Sequence, residues 1–430
     1  MKVQKYINRK SLLLFIFAAA VLTFMFTNII REKRETFNNT VERTMTDDVT
    51  KAAEPKSEHT VEAYDSKIAT KIGQQELTVN SYYGVYEPSK KKIGCSQMGL
   101  GKSVKEKWVS VKPKKEYQIS VLLPHLEDTY WITASYGIIS YAKELGVKVK
   151  LYSAGGYIEL GNQKEQLQTL AKDDKVDGII FASIDYAKLD SDVADVDKSG
   201  KPVVELSNDI NAPEISAKAV VPYYEMGYKA GESVIKDAAG KDVNIAFFPG
   251  PEGSGWAPDT YYGFKDAIAD LKKENQKIDV SDPYYGDTRP DVQLLRVASV
   301  LKKNNHYDYV VGCAPAVLET EKFIAGNKEN FKNTKIVSTY ITGEVYDLIL
   351  KGTVLASPSD QTIEQCRIAL DMLVRILNGE KPGVDFPFRS GPEIPVIARE
   401  NISKFKYENL FGPRDYTLVL NQMSKQGSEK

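Results

Sequence analysis

Aromatic side chains follow the ends of two predicted strands, and their chemistry suits ligand recognition. Residues 117–124 form an apolar run of strand length, and Tyr130 and Trp131 come shortly after it. Residues 147–152 alternate as a strand does, and Tyr157 follows them. In open parallel sheets, ligands lie at the carboxyl ends of the strands, so we expect these rings to be exposed there. Aromatic faces attract cations, and phenol and indole groups donate hydrogen bonds, which indicates a site for a small polar ligand.

Catalytic chemistry has little support in the sequence. Histidine is scarce, with 3 residues against 25 tyrosines, and only His125 lies near the predicted ligand site. No GxSxG or HExxH motif occurs, and residues 99–103 resemble a phosphate-binding loop whose required first glycine is replaced by Ser96. Asp128 with Asp360 is the one candidate carboxylate pair for a glycosidase-like enzyme. We therefore predict a non-enzyme with no catalytic residue and no cofactor.

The cysteines and the net charge exclude two further classes of site. Cys95, Cys313 and Cys366 lie far apart, so one disulfide is possible, but buried or free thiols are favoured. No CxxC or zinc-ligand spacing occurs, and we predict no metal site. The formal net charge of −1 argues against nucleic acid as the main partner, because phosphate binding needs a clustered basic surface.

The N-terminal residues indicate export across a membrane. Basic side chains in the first ten positions precede an uncharged apolar run, residues 11–30, which is long enough to span a bilayer core. A cleaved signal peptide usually has a shorter apolar region that ends in small residues. We therefore favour an uncleaved anchor over a cleaved signal for residues 1–30, followed by a charged stalk or linker over residues 31–76. The remaining chain is predicted to lie in the periplasm or another extracytoplasmic space, tethered to the inner membrane.

Strands and helices alternate along the rest of the chain, which at 430 residues has room for two or three domains. Residues 132–145 repeat apolar side chains at helical steps and stop at Gly146. A long helix is also predicted over residues 226–239. Two consecutive series of this alternation predict an α/β protein with two doubly wound parallel-sheet lobes.

Several short sequences follow one another in a specific order. They are DTYW at 128–131, SYG at 135–137, AGGY at 154–157, VPYYEMGY at 221–228, FPGP at 248–251, IVSTY at 336–340 and SDQ at 359–361. This order resembles the type I periplasmic binding proteins, and within them the TorT group of periplasmic trimethylamine N-oxide sensors. The resemblance covers about residues 108–416. It implies two lobes joined by three hinge crossovers that close on a ligand.

The resemblance also implies where the lobes and crossovers lie. The crossovers are placed near residues 219–223, 357–361 and 383–388. The predicted segments are a β-like lead-in over 77–115, lobe 1 over 116–222 and 358–384, lobe 2 over 223–357 and 385–400, and a C-terminal tail over 401–430.

The ligand cage follows from the same resemblance. Four aromatic residues match cage positions, and a fifth, Tyr223, stands where relatives commonly have tryptophan. Two carboxylates orient the cage hydroxyls or face a cationic ligand directly. The predicted ligand-binding residues are Asp128, Tyr130, Trp131, Tyr157, Tyr223, Tyr340 and Asp360. Trimethylamine N-oxide combines a methylated cationic nitrogen with an anionic oxygen, which aromatic faces and hydrogen-bond donors suit respectively.

Two functions are compatible with such a cage. The first is a membrane-tethered sensor that binds trimethylamine N-oxide or a similar small methylated amine and signals to a TorS-like membrane histidine kinase of a two-component system. The second is a solute-binding protein of an ABC importer for a sugar or a small amine. A sugar site would need paired arginine, aspartate and asparagine groups, whereas the predicted cleft is aromatic. Trp256, in a glycine-rich loop, faces either the cleft or a partner surface.

Overall fold

The computed structural model describes residues 61–62, 77–88 and 99–418. The predicted anchor, residues 1–30, and nearly all of the predicted stalk lie outside the described residues, as do Cys95 and the last twelve positions. Across the described ranges, no helix combines the length and the apolar character that crossing a membrane requires. Cys313 and Cys366 are both buried and free.

Strands and helices alternate along the described chain. The strands are β1 (Val61–Glu62), β2 (Thr78–Tyr82), β3 (Val104–Lys107), β4 (Gln118–Leu123), β5 (Lys148–Ser153), β6 (Gly178–Phe181), β7 (Val203–Leu206), β8 (Ala217–Ala219), β9 (Val243–Phe248), β10 (Ile278–Val280), β11 (Tyr309–Gly312), β12 (Lys335–Ser338), β13 (Ala356–Pro358), β14 (Arg389–Pro392) and β15 (Val396–Ala398). The helices are α1 (Thr129–Leu145), α2 (Leu160–Ala171), α3 (Asp190–Lys198), α4 (Tyr223–Ala238), α5 (Ala257–Leu271), α6 (Pro290–Lys303), α7 (Ala314–Gly326), α8 (Gly343–Lys351), α9 (Thr362–Leu377) and α10 (Tyr407–Phe411). The predicted α/β class with parallel sheets is confirmed.

Lobe 1 is built on a nine-stranded sheet with the order β1-β5-β4-β6-β7-β8-β14-β2-β3. The strands from β5 to β14 run parallel, whereas β1, β2 and β3 pair antiparallel at the two edges. Helices α1 and α9 pack against each other and against this sheet. All four residues of β6 are buried, which is typical of a parallel strand covered on both faces.

Lobe 2 is built on a four-stranded parallel sheet with the order β10-β9-β11-β12. The antiparallel pair β13–β15 extends this lobe, and the Leu355 N–H donates to the Ile336 carbonyl oxygen at 2.8 Å beside it. Helices α4 and α5 approach each other closely. A Cβ at Gly227 would lie 1.9 Å from the carbonyl oxygen of Thr260, so only glycine fits at this contact.

Before residue 400, the described chain passes between the two lobes three times. The first passage joins β8 to α4, and the second joins β13 to α9. The third runs from β14 to β15. The sequence analysis placed this third passage at residues 383–388, which was wrong. It also assigned residues 385–400 to lobe 2, which was wrong for the strand β14. Arg389 pairs with Lys218 on β8 and with Tyr82 on β2, so strand pairing on both sides keeps β14 in the sheet of lobe 1.

Two helices begin three residues earlier than the periodicity predicted. Helix α1 starts at Thr129 because the Asp128 side chain caps it, accepting the Trp131 N–H at 3.0 Å. Helix α4 starts at Tyr223, directly after Pro222. Aromatic residues therefore occupy the first helical turns rather than loops. The expected exposure was also wrong, since Trp131 is only 2% exposed.

Replacing Gly227 with alanine is expected to lower the free energy of unfolding by about 1–3 kcal/mol, because the new methyl group overlaps the α5 backbone. Urea denaturation of the full chain measures this change. Gly161→Ala in α2 is the matched control, because no heavy atom lies within 4 Å of a Cβ there. Equal stability of the two variants would show that α4 and α5 can separate at little cost.

Candidate ligand-binding site

A small cavity lies between the lobes, where the carboxyl ends of strands from both sheets meet. This is the usual ligand position in open α/β sheets. Ten residues line it: Asp128, Tyr130, Trp131, Tyr157, Asn208, Tyr223, Trp256, Thr288, Tyr340 and Asp360. All seven residues predicted from the sequence are among them. The free volume of this cavity is about 20 Å³ in the present arrangement of the lobes.

Lobe 1 places its side chains after three of its parallel strands. Asp128, Tyr130 and Trp131 come from the cap and first turn of α1, directly after β4. Tyr157 follows β5, and its hydroxyl donates to the Asn208 side-chain oxygen at 3.2 Å. Asn208 itself follows β7 and was missed by the sequence analysis, although the same strand-end rule applied to it.

Lobe 2 and the crossovers supply the opposite wall. Trp256 immediately precedes α5, and Tyr340 follows β12. Thr288, in the loop before α6, is polar and had no distinguishing pattern in the sequence. Tyr223 and Asp360 lie on the first and second passages between the lobes. A hinge motion at these passages would therefore move both side chains.

Six aromatic rings form the cage. The Trp256 ring contacts three of them, with centroid distances of 5.7 Å to Tyr340, 6.3 Å to Tyr223 and 6.4 Å to Tyr157. Tyr130 connects Trp131 to these rings, because the Tyr130 centroid lies 5.0 Å from that of Trp131 and 5.4 Å from that of Tyr340. The structure thus places Trp256 in the cleft, which the sequence alone left undecided.

A glycine explains how the Trp256 ring reaches the cavity. Gly250 adopts a positive φ of 112°, and a Cβ there would fall 2.4 Å from the Trp256 ring. Any side chain at position 250 would displace the indole. The indole N–H of Trp256 is buried and makes no hydrogen bond of standard geometry within the described residues, although it lies close enough to the Tyr157 hydroxyl to act on its pKa. A ligand with an acceptor atom would satisfy this donor.

Two carboxylates face the same cavity. Asp360 is 1% exposed and accepts hydrogen bonds from the Tyr130 hydroxyl at 2.7 Å and the Gln365 amide at 2.8 Å. Burial raises the pKa of Asp360, and burial likewise raises the pKa of Asp128. Among the described residues that line the cavity there is no lysine, arginine or histidine. The polar groups of the cavity therefore favour a cationic or dipolar ligand.

The tyrosine hydroxyls remain protonated and serve as hydrogen-bond donors. Burial raises the pKa of Tyr130, Tyr223 and Tyr340 above the usual tyrosine value. Burial does the same for the pKa of Tyr157. Neutral phenols keep their ring faces electron-rich and can also donate to a ligand oxygen.

The lobes touch each other around the cavity. His125 Nε2 of lobe 1 lies 3.1 Å from the Thr288 hydroxyl of lobe 2. The Tyr157 N–H of lobe 1 donates to Asp287 of lobe 2 at 3.1 Å. His125 also lies 3.6 Å from Asp128 of the same lobe, so it connects Asp128 to Thr288 of lobe 2. Within the described residues, no cluster of three or more histidine, cysteine or acidic side chains could hold a metal ion.

A family profile described as a periplasmic binding protein domain matches residues 119–381 of this chain. The chain belongs to the periplasmic binding protein family. Its members are binding proteins rather than enzymes. The curated periplasmic protein TorT of Escherichia coli K12 is 30% identical over 312 residues, which cover 72% of this chain and 86% of TorT.

Solved structures of periplasmic binding proteins show the same fold. An ABC transporter solute-binding protein from Bradyrhizobium sp. BTAi1 with bound bis-tris has a TM-score of 0.66 and 30% identity, covering 82% of this chain and 100% of that protein. A complex of the TorS sensor domain with TorT, obtained in the presence of trimethylamine N-oxide, has a TM-score of 0.61 and 24% identity. The match covers 71% of this chain and 100% of the chain in that structure.

Proposed function

We propose that this periplasmic binding protein holds trimethylamine N-oxide, or a similar small methylated amine, between its lobes and signals the closure to a membrane histidine kinase. One observation carries the proposal: six aromatic rings and two carboxylates enclose one small cavity that no basic side chain lines among the described residues. Aromatic faces stabilise a methylated nitrogen by about 0.5–2 kcal/mol each. The buried indole N–H of Trp256 offers a donor to the N-oxide oxygen.

The polarity of the cavity argues against a sugar. Beyond the two carboxylates and the aromatic donors, Asn208 and Thr288 supply the remaining polar side chains of the lining. A sugar site would pair its hydroxyls with basic and amide side chains, and among the described lining residues only Asn208 is of that kind.

The relatives support an amine and a kinase partner. TorT of Escherichia coli is 30% identical to this chain, and a TorT has been solved with the TorS sensor domain in the presence of trimethylamine N-oxide. We extend that ligand and partner class to this chain. We also place the lobes outside the inner membrane with residues 11–30 as the tether, a proposal that rests on the apolar sequence alone.

A second function is a solute-binding protein of an ABC importer. The Bradyrhizobium relative, also 30% identical, carries bis-tris, which is itself an amine. Both candidates therefore place an amine in the cleft and differ in the membrane partner. Co-reconstitution with a TorS-type kinase separates them, because only a sensor changes the kinase's autophosphorylation when the amine is added.

Calorimetric titration of the full chain in detergent tests the ligand. We expect saturable binding of trimethylamine N-oxide and no heat from ribose, with trimethylamine as a further comparison. Trp131→Ala should weaken binding about 10-fold, because it removes one cage wall. Trp108→Ala is the matched control, since Trp108 lies outside the cavity and donates to Asp371 at 2.7 Å. Binding of ribose alone would favour the sugar importer. The absence of binding heat from all three ligands would contradict the proposal.

A further inference from the structure

We propose that the segment 402–418, named here the C-terminal clasp, holds the two lobes in their closed arrangement. One part of the clasp is anchored to α8 of lobe 2, and its far end lies against α1 of lobe 1. It lies after residue 381, the last position matched by the family profile. The inference goes beyond the ligand and kinase proposed above, because it concerns the closing equilibrium of the protein without ligand.

Aromatic packing anchors the clasp to lobe 2. The Tyr346 hydroxyl on α8 donates to the Phe405 carbonyl oxygen at 2.9 Å. The Tyr346 ring also packs against Tyr407 and Phe411 of the clasp, with centroid distances of 5.5 and 5.9 Å. Tyr407 and Phe411 lie 5.0 Å from each other, so the three rings form one cluster. Aromatic pairs contribute stability beyond the apolar area that they bury, so we expect the attachment to lobe 2 to be the stronger end of the clasp.

An arginine then directs the chain from lobe 2 towards lobe 1. Both terminal nitrogens of Arg414 donate to the Asp347 carboxylate on α8, each at 2.9 Å. The guanidinium lies 3.6 Å from the centroid of the Tyr407 ring. A bidentate pair combined with ring stacking fixes the direction of the side chain as well as its position. The chain after Arg414 therefore continues towards α1.

The far end of the clasp rests on lobe 1. The Tyr416 ring lies 5.0 Å from the Tyr136 ring on α1, in an edge-on arrangement. The Tyr416 hydroxyl is 3.3 Å from the Ser135 hydroxyl. Helix α10 also packs against α9 of lobe 1. The clasp therefore contacts both lobes within about fifteen residues.

The two anchoring helices both begin at the ligand cavity. Helix α1 carries Trp131 in its first turn, and α8 begins three residues after Tyr340. The side chains of Thr129 and Glu344 join the starts of the two helices directly. Hinge rotation would move α8 relative to α1, and the clasp could then keep only one of its two attachments. Because opening would break one of the two attachments, the clasp shifts the equilibrium towards closure.

Electron–electron distance measurements on the full chain in detergent, without ligand, test the clasp. Spin labels are attached at Lys143→Cys in lobe 1 and Lys302→Cys in lobe 2, in a Cys95→Ser background. We expect a predominantly short distance in the parent. Tyr416→Ala should raise the ratio of long to short distances about 2- to 10-fold, the size expected for one aromatic pair. Arg414→Ala, at the other end of the bridging stretch, should act in the same direction.

The matched control is Tyr228→Ala on α4, a half-buried tyrosine whose hydroxyl donates to Asp270 within lobe 2 at 3.3 Å. It should leave the distances unchanged. An unchanged distribution in both clasp variants would overturn the proposal, even if their melting temperatures fell, since that result would indicate packing alone. A predominantly long distance in the parent chain, without either clasp substitution, would overturn the proposal as well. Neither outcome depends on trimethylamine N-oxide, so the proposed ligand stands or falls separately.

Discussion

Asp209→Asn is expected to lower the free energy of unfolding by about 3–5 kcal/mol, because it leaves buried cations without their counter-charge. Asp209 accepts from Lys218 at 2.6 Å and from Arg389 at 3.5 Å. Both basic side chains are 0% exposed. Asparagine tolerates the positive φ of 66° at this position, so the substitution removes charge without adding backbone strain. Urea denaturation of the full chain measures the loss.

The control for this prediction is an ion pair on the surface. Asp195 accepts from Lys198 at 2.9 Å, with side chains 61% and 74% exposed. Asp195→Asn should change stability by less than about 1 kcal/mol, because water screens the pair. A loss below about 1 kcal/mol for Asp209→Asn as well would contradict the argument. It would mean that water or the neighbouring Glu205 compensates the two cations.

The buried charge cluster also has a consequence for the ligand site. Asn208, beside Asp209 in the chain, lines the cavity. Arg389 donates to the Val221 carbonyl oxygen at 2.9 Å, on the first passage between the lobes. The cluster thus ties one wall of the cavity to the hinge. Lys218 has its pKa lowered by burial, so the ionised state of this cluster depends on the contacts that Asp209 provides.

The sequence predicted the cavity better than it predicted the element boundaries. Residues such as Tyr157 could be placed because they directly follow a strand, and the strand-end rule needs no knowledge of distant contacts. Tyr340 and Asp360 were found through the family resemblance instead. The location of the Trp256 ring remained undecided, because the ring reaches the cavity only where Gly250 has no side chain. Thr288 has no local signal, since a loop threonine is common anywhere.

The errors arose where distant segments decide the structure. The strand β14 reads RSGP, a sequence with low strand propensity, and it forms because β8 and β2 pair with it from both sides. The early start of α1 depends on one cap, Asp128, whose side chain replaces the missing helical acceptor. Hydrophobic periodicity carries no information about such a cap, because the first turn is aromatic and polar.

Asp360→Asn is expected to weaken binding of tetramethylammonium about 100-fold at pH 7.5, equivalent to about 2.7 kcal/mol. The carboxylate lies inside the cage, and its pairing with a desolvated cation is lost in the amide variant. Calorimetry on the full chain measures this change. Asp371→Asn is the matched control, because Asp371 is also buried on α9 but bonds Trp108 and Tyr141 away from the cavity. Equal weakening by both variants would indicate a general loss of packing.

The pH dependence of binding separates the two kinds of methylated amine. Burial raises the pKa of Asp360, so on acidification from pH 8 to 5.5 this carboxyl gains a proton earlier than an exposed aspartate would. A permanent cation needs the ionised form, and its affinity should fall as the pH falls; Asp360→Asn should flatten that slope. Trimethylamine N-oxide presents an oxygen to which the protonated carboxyl can donate, so its affinity should hold or rise over the same range. Parallel slopes for the two ligands would show that the carboxyl does not contact the ligand. Opposite slopes would show that the Asp360 carboxyl contacts both ligands, the cation in its ionised form and the N-oxide in its protonated form.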